Sequence, residues 1–196
     1  MYAGPAMCFA GGFVKWRQPA SRGGIGPLFA VAMSYINNLS IEAGKGKGLV
    51  QNYFLEPTRE TGAALFRRNI SGAVVMLNLL RLRKTADYSG HPELAPATPI
   101  SGREAFRKYV DHAMPFLNDS GGELLLLGNG GKFFIGPDDE QWDVVMLVKQ
   151  SSVENFFAFA SNPAYMAGIG HRTAAVLDSR LLPIEECDNF NAIVGN

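Results

Sequence analysis

A chain of 196 residues can hold one domain with a real core and some excess chain. Its 18 basic and 18 acidic residues cancel, which argues against a nucleic-acid backbone or an acidic membrane surface as partner. No stretch approaches the ~20 apolar residues of a spanning helix, so no membrane is expected and a soluble protein is.

Residues 1–50 differ in character from the rest of the chain. Gly, Ala, Ser and Pro dominate, as in Gly11-Gly12, Ser21-Arg-Gly-Gly24 and Gly44-Lys-Gly-Lys-Gly48, and no apolar period persists. The pattern predicts a flexible arm, or an extension upstream of a functional start at Met33. Lys15 and Arg17 ahead of Pro27-Leu-Phe-Ala-Val-Ala32 have the order of a signal peptide, but the apolar piece is too short and its surroundings too glycine-rich. Gly44–Gly48 lacks the Gly-Lys-Ser/Thr ending of a phosphate loop. Cys8 and Cys187 lie in opposite tails, too few for a disulfide framework, so a reducing cytoplasm is the expected location.

Residues 51–184 carry the periodic part, and 185–196 read as a tail. A short helix is expected over Pro57–Arg68, with Pro57 suited to a first turn. The apolar run Ala73–Leu82 predicts a first strand. After a Pro- and Gly-rich loop containing His91, Ser101-Gly-Arg-Glu104 has the spacing of a capping box, in which serine and glutamate satisfy each other's orphan N–H groups. Phe106, Tyr109, Val110, Ala113 and Leu117 then share one helical face. Glu123–Ile135 predicts a second strand region interrupted at Gly128–Gly131, and Trp142–Lys149 a third strand. Ser151-Ser-Val-Glu154 repeats the capping pattern ahead of a buried stripe of Val153, Phe156, Phe157 and Ala160. Asn162-Pro163 restarts a short helical segment through Thr173, and Ala175–Ile184 is the fourth strand.

The order strand, helix, strand, strand, helix, strand predicts an α+β, ferredoxin-like antiparallel sheet with its helices on one face. A solitary sheet of this kind should alternate apolar and polar residues. Here Val74, Met76, Leu80 and Leu82 point one way and Val75, Leu77 and Leu79 the other, while Leu124–Leu127 and Val144–Val148 are continuous apolar runs. Two greasy faces predict a homodimer whose sheets pack face to face.

Several motifs in this order resemble the domain of unknown function 1330 family, within the dimeric α/β-barrel superfamily. They are Val75-Met-Leu-Asn-Leu-Leu-Arg81, Ser101-Gly-Arg-Glu-Ala-Phe106, Trp142-Asp143, Asn162-Pro-Ala-Tyr165, His171-Arg-Thr-Ala-Ala175 and Asp178-Ser-Arg-Leu181. The resemblance covers Tyr53–Ile184 and leaves residues 1–50 without a counterpart. It implies two protomers with packed sheets and a pocket between sheet and helices in each, and it implies no particular reaction.

Polar residues in apolar settings are the candidates for a site. Asn78 lies mid-strand, where a buried amide either stitches backbone or faces a ligand. Arg81, on the opposite parity, can bind an anion or pair across a dimer. His171 can serve as a general base or anion donor, with Arg172 a substrate-binding candidate beside it, or the two can settle a helix C-terminus. Asp178 and Arg180 share a strand face as either a structural ion pair or an arginine held for a carboxylate. Trp142 and Phe159 are pocket wall or interface, with interface the better fit for Trp142. No metal spacing, nucleophile elbow or dinucleotide fingerprint occurs, so neither a metal nor a cofactor is expected.

Two functional readings are open. One is a small-molecule-binding protein, extending to a cofactor-free enzyme of the monooxygenase or isomerase kind acting on a small anionic or carbonyl compound. In it Asn78, His171 and Arg180 polarise or anchor the ligand, Asp178 orients the arginine, and Arg81, Trp142 and Arg172 complete the surroundings. The other is a non-catalytic interaction or regulatory module whose polar residues are all structural. An open cavity on which Asn78, His171 and Arg180 converge would favour the first.

Overall fold

The computed structural model describes residues 27–39, 53–187 and 189. In chain order the elements are α1 (Pro27–Asn38), α2 (Arg59–Arg67), β1 (Val74–Leu82), a 3-10 turn at Pro92–Leu94, α3 (Gly102–Asp119), β2 (Glu123–Asn129), β3 (Val144–Gln150), α4 (Val153–Ala160), α5 (Pro163–Met166), α6 (Ile169–Ala175) and β4 (Val176–Glu185). The four strands form one sheet in the order β2-β3-β1-β4, every neighbouring pair antiparallel. Two interleaved βαβ units of this order are the ferredoxin-like α+β arrangement expected from the sequence.

Directly opposed residues of neighbouring strands share a face. Met76, Leu80, Val144 and Met146 are buried on the helix side, Met76 in one core cluster with Phe157 of α4 and the other three in a second with Phe106 of α3. On the other side the register Leu182–Leu77–Leu147–Leu126 sets a row of four leucines across the whole sheet. Its two ends are open to solvent, Leu126 at 45% and Leu182 at 56% exposure.

The helix starts reflect local chemistry. At α3 the expected capping box forms: Glu104 N donates to Ser101 Oγ at 3.2 Å and Ser101 N to Glu104 Oε2 at 2.8 Å. These bonds hold the Glu104 carboxyl below its ordinary range. Two starts differ from expectation. The cap of α4 is Ser152, which accepts from Asn155 N at 3.1 Å, while Ser151 instead receives Asn155 Nδ2 at 2.6 Å. The cap of α2 is Thr58, reciprocated by Thr61, so Pro57 precedes the helix rather than opening it.

β2 ends at Asn129, short of the expected Ile135. Beyond it the chain is held by the bridge Lys132↔Gln141, and Phe134 stands fully exposed. Gly130 marks the change: a Cβ there would lie 2.3 Å from the Trp142 carbonyl oxygen, so only glycine allows this approach of two backbones.

The largest difference lies in the stretch expected to be an arm. Pro27–Asn38 form α1, and Ala32 and Ile36, one turn apart, are buried against α2 and α4. Gly62 of α2 permits the contact, since a Cβ there would meet Leu39 Cδ1 at 2.9 Å. Leu28 to Met33 is a continuous apolar run, so no helical period marks the buried face in the sequence. The remaining residues of the expected arm, and most of the tail, lie outside the described residues.

Candidate functional site

Between the helix side of the sheet and the helices lies a cavity of about 650 Å³. That is the size of a pocket for a small organic ligand. Most of its wall is apolar: Met76 and Met146 on the sheet, Ala113 and Met114 on α3, Phe159 on α4. One group of polar side chains is set into this wall. Tyr35 comes from α1, Glu56 from the segment before α2, Tyr109 from α3, Tyr165 from α5 and Arg172 from α6.

Each is positioned by identifiable contacts. Asn162 Oδ1 caps α5 by accepting from Ala164 N at 2.9 Å and Tyr165 N at 3.3 Å, which swings Tyr165 inward. His112 Nε2 lies 3.1 Å from the carbonyl oxygens of both Ala164 and Tyr165, a position only a protonated nitrogen satisfies. The Tyr165 and Tyr109 hydroxyls then meet at 2.9 Å, and the Tyr165 ring packs 4.4 Å from that of Phe159. Arg172 Nη1 donates to Leu55 O at 3.0 Å and Nη2 to Ser179 Oγ at 3.4 Å. Ser179 in turn binds Phe54 O through both its N–H and its hydroxyl, so residues 54–55 are tied along β4 and hold the guanidinium.

The electrostatics favour neutral phenols beside a cation. Burial carries the Tyr165 hydroxyl far above the usual tyrosine range, with Tyr109 adding to the effect. Burial also raises Tyr35, with the Glu56 carboxylate pushing the same way and Arg172 opposing. Both phenols therefore keep their protons at neutral pH and remain donors. Glu56 Oε1 sits 3.9 Å from Arg172 Nη1, but its side chain is 61% exposed against 16% for the arginine. Water screens the carboxylate more than the guanidinium, so the positive charge is only partly offset. Such a grouping can hold an oxygen atom bearing full or partial negative charge.

The residues singled out from the sequence are split between three places. Asn78 and Arg172 both line the cavity. Asn78 Nδ2 bonds to Met76 O at 3.0 Å, and among the described residues nothing pairs with its Oδ1. Arg180 also borders the cavity, but it opposes Leu79 in the β1–β4 register whereas Asn78 opposes Leu181, so the two project from opposite faces. Its Nη1 donates to Asp178 Oδ1 at 2.7 Å, and its Cζ lies 4.7 Å from the Phe54 ring centre and 5.0 Å from that of Trp142. Asp178 Oδ1 accepts from Phe54 N as well, at 2.8 Å. Trp142 is buried beside this cluster with Nε1 on Glu140, and Arg81 faces Asp178 across the register; neither lines the cavity. His171 stands apart from both, its Nδ1 2.8 Å from the Tyr88 hydroxyl. Burial, Lys108 and His112 all lower its pKa. Asn78, His171 and Arg180 thus do not converge.

Tyr35, Glu56, Tyr109 and Tyr165 were not read as site residues from the sequence. Tyr109 sat in an apolar helical stripe and Tyr165 in a motif, where a tyrosine reads as bulk although its hydroxyl must find a partner. Among the described residues no three His, Cys, Asp or Glu side chains gather as metal ligands would. No described helix is long and apolar enough to cross a membrane.

With this geometry in view, solved structures supply the relationship. The RPA0582 protein of Rhodopseudomonas palustris, a protein of unknown function, is 34% identical, with a TM-score of 0.61. The match covers 70% of this chain and 99% of that one. This chain belongs to its family. The methylated form of the RPA0582 protein matches alike, at 34% identity and a TM-score of 0.62 over 70% of this chain and 98% of that one. A dimeric protein of unknown function and ferredoxin-like fold from Bacteroides fragilis is 12% identical, with a TM-score of 0.38 over 60% of this chain and 99% of its own. No family model matches the chain. No curated protein matches it either.

Proposed function

We propose that this protein binds a small, largely apolar molecule carrying a carboxylate or carbonyl oxygen. The apolar body occupies the cavity and the oxygen sits among Tyr35, Tyr165 and Arg172, with the Asn78 amide on the sheet side. The observation that carries this reading is the tethered, incompletely neutralised Arg172 beside protonated phenols in a mostly apolar cavity. The same donors would stabilise an enolate, the kind of charge that a cofactor-free isomerase or monooxygenase develops. His171 and Arg180, held by Tyr88 and Asp178, have supporting rather than ligand-binding roles in this reading. Asn78, His171 and Arg180 do not converge as the small-molecule reading expected, so its support against a purely structural module comes from Arg172 and the tyrosines lining the cavity.

Isothermal titration with octanoate tests the proposal. The wild-type protein binds, and Arg172→Met weakens binding by about tenfold or more, the usual scale for a lost hydrogen bond to a charged group. Equal affinity of the two proteins would count against the assignment.

The active unit in this proposal is a homodimer. The exposed leucine row supports two sheets packed face to face, which removes the apolar surface from water. The motifs shared with the domain of unknown function 1330 family support placing the chain there.

A further inference from the structure

The cavity has a wall that does not belong to the ferredoxin-like unit. The βαββαβ unit begins at β1 (Val74) and ends with β4 (Glu185), and α1 precedes it in the chain. α1 lies outside that unit, yet Tyr35 and Leu39, at and just past its C-terminal end, line the cavity. Its placement is not casual: Ala32 and Ile36 are buried in the core, and the Tyr35 ring packs 5.6 Å from that of Phe157. The ring is therefore fixed while the hydroxyl has no hydrogen-bond partner among the described residues.

The Tyr35 hydroxyl is left free to donate to whatever occupies the cavity that it lines. Its neighbours define what would suit it. Glu56 and Arg172 both act on it electrostatically, and Tyr35 in turn acts on Tyr165. We infer that Tyr35 is a specificity-determining residue of the cavity, an addition by α1 that selects ligands ending in a carboxylate over the same skeleton ending in a hydroxyl. This rests on the ligand reading of the cavity given above. A carboxylate has two oxygens and about four acceptor positions, enough to take a bond from the Tyr35 phenol and another from Arg172 at once. A terminal hydroxyl offers fewer positions, carries no charge and takes only a neutral hydrogen bond from the phenol, roughly half as strong.

The test compares octanoate with 1-octanol by titration against the wild-type protein, Tyr35→Phe and Arg172→Met. Phenylalanine keeps the ring contact with Phe157, and thermal unfolding of each variant verifies that the fold persists. Tyr35→Phe should weaken octanoate about tenfold and 1-octanol no more than about threefold, so that the preference for the carboxylate shrinks. An unchanged ratio, or an equal loss for both ligands, overturns the role of Tyr35. If Arg172→Met still weakens octanoate in that case, the cavity reading stands alone. If the wild-type protein binds neither ligand, the cavity reading itself fails, and this inference with it.

Discussion

Tyr109 and Tyr165 share one hydrogen bond at 2.9 Å in a mostly apolar wall. Tyr165→Phe removes it and leaves the Tyr109 hydroxyl facing the cavity, at an expected cost of about 1 kcal/mol in urea unfolding. His171 gives a prediction in pH. Its pKa is lowered in the folded protein, so the unfolded chain takes up the proton first as pH falls. Its contribution to stability is complete above the unfolded value near 6.5 and is lost as pH drops through the lower folded value. His171→Gln should therefore flatten the fall in melting temperature between about pH 7 and pH 5. An identical slope in the variant would show that another group is responsible. Asn78 stood out in the sequence as a polar group in an apolar run, and Arg172 as a basic residue at the end of a helical stretch. The tyrosines were not, since a ring in a buried stripe conceals the hydroxyl it carries.

The order of elements was legible because its punctuation is chemical. Ser101 and Glu104 announce α3, and glycine and proline clusters separate the apolar runs. Boundaries were less so: Ser151 and Ser152 are equivalent on paper, and only the fold decides which one caps α4. α1 escaped because tertiary contact rather than local pattern holds it. The start of α3 carries a strong constraint, for a Cβ on Gly102 would lie 2.2 Å from Arg83 O and 2.8 Å from Ala175 O. Both obstacles are backbone and cannot rotate away. Gly102→Ala should cost about 3 kcal/mol, the scale of forced overpacking, read as a drop in the urea midpoint. A near-neutral effect would mean that this junction is looser than its packing implies.

At the scale of the whole molecule, two surfaces of one sheet have different tasks. The helix side encloses the cavity, and the other side carries Leu182, Leu77, Leu147 and Leu126 in a single row. This two-faced character shows in the sequence as apolar runs without alternation, whereas which polar residues share a face depends on register. That Arg180 and Asn78 lie on opposite faces emerges only once β4 is paired with β1. Leu147→Glu, central in the row, should convert a dimer to a monomer in native mass spectrometry at micromolar concentration. A wild-type protein that is already monomeric would contradict the face-to-face assembly.

The cavity's role as a binding site can be tested through its methionines. Met76, Met114, Met146 and Met166 line it, whereas Met33, on the face of α1 packed in the core, does not. In a protein labelled with carbon-13 at the methionine methyls, titration with octanoate should shift the signals of those four and leave Met33 in place. Saturating octanoate that moves none of the four would contradict the account.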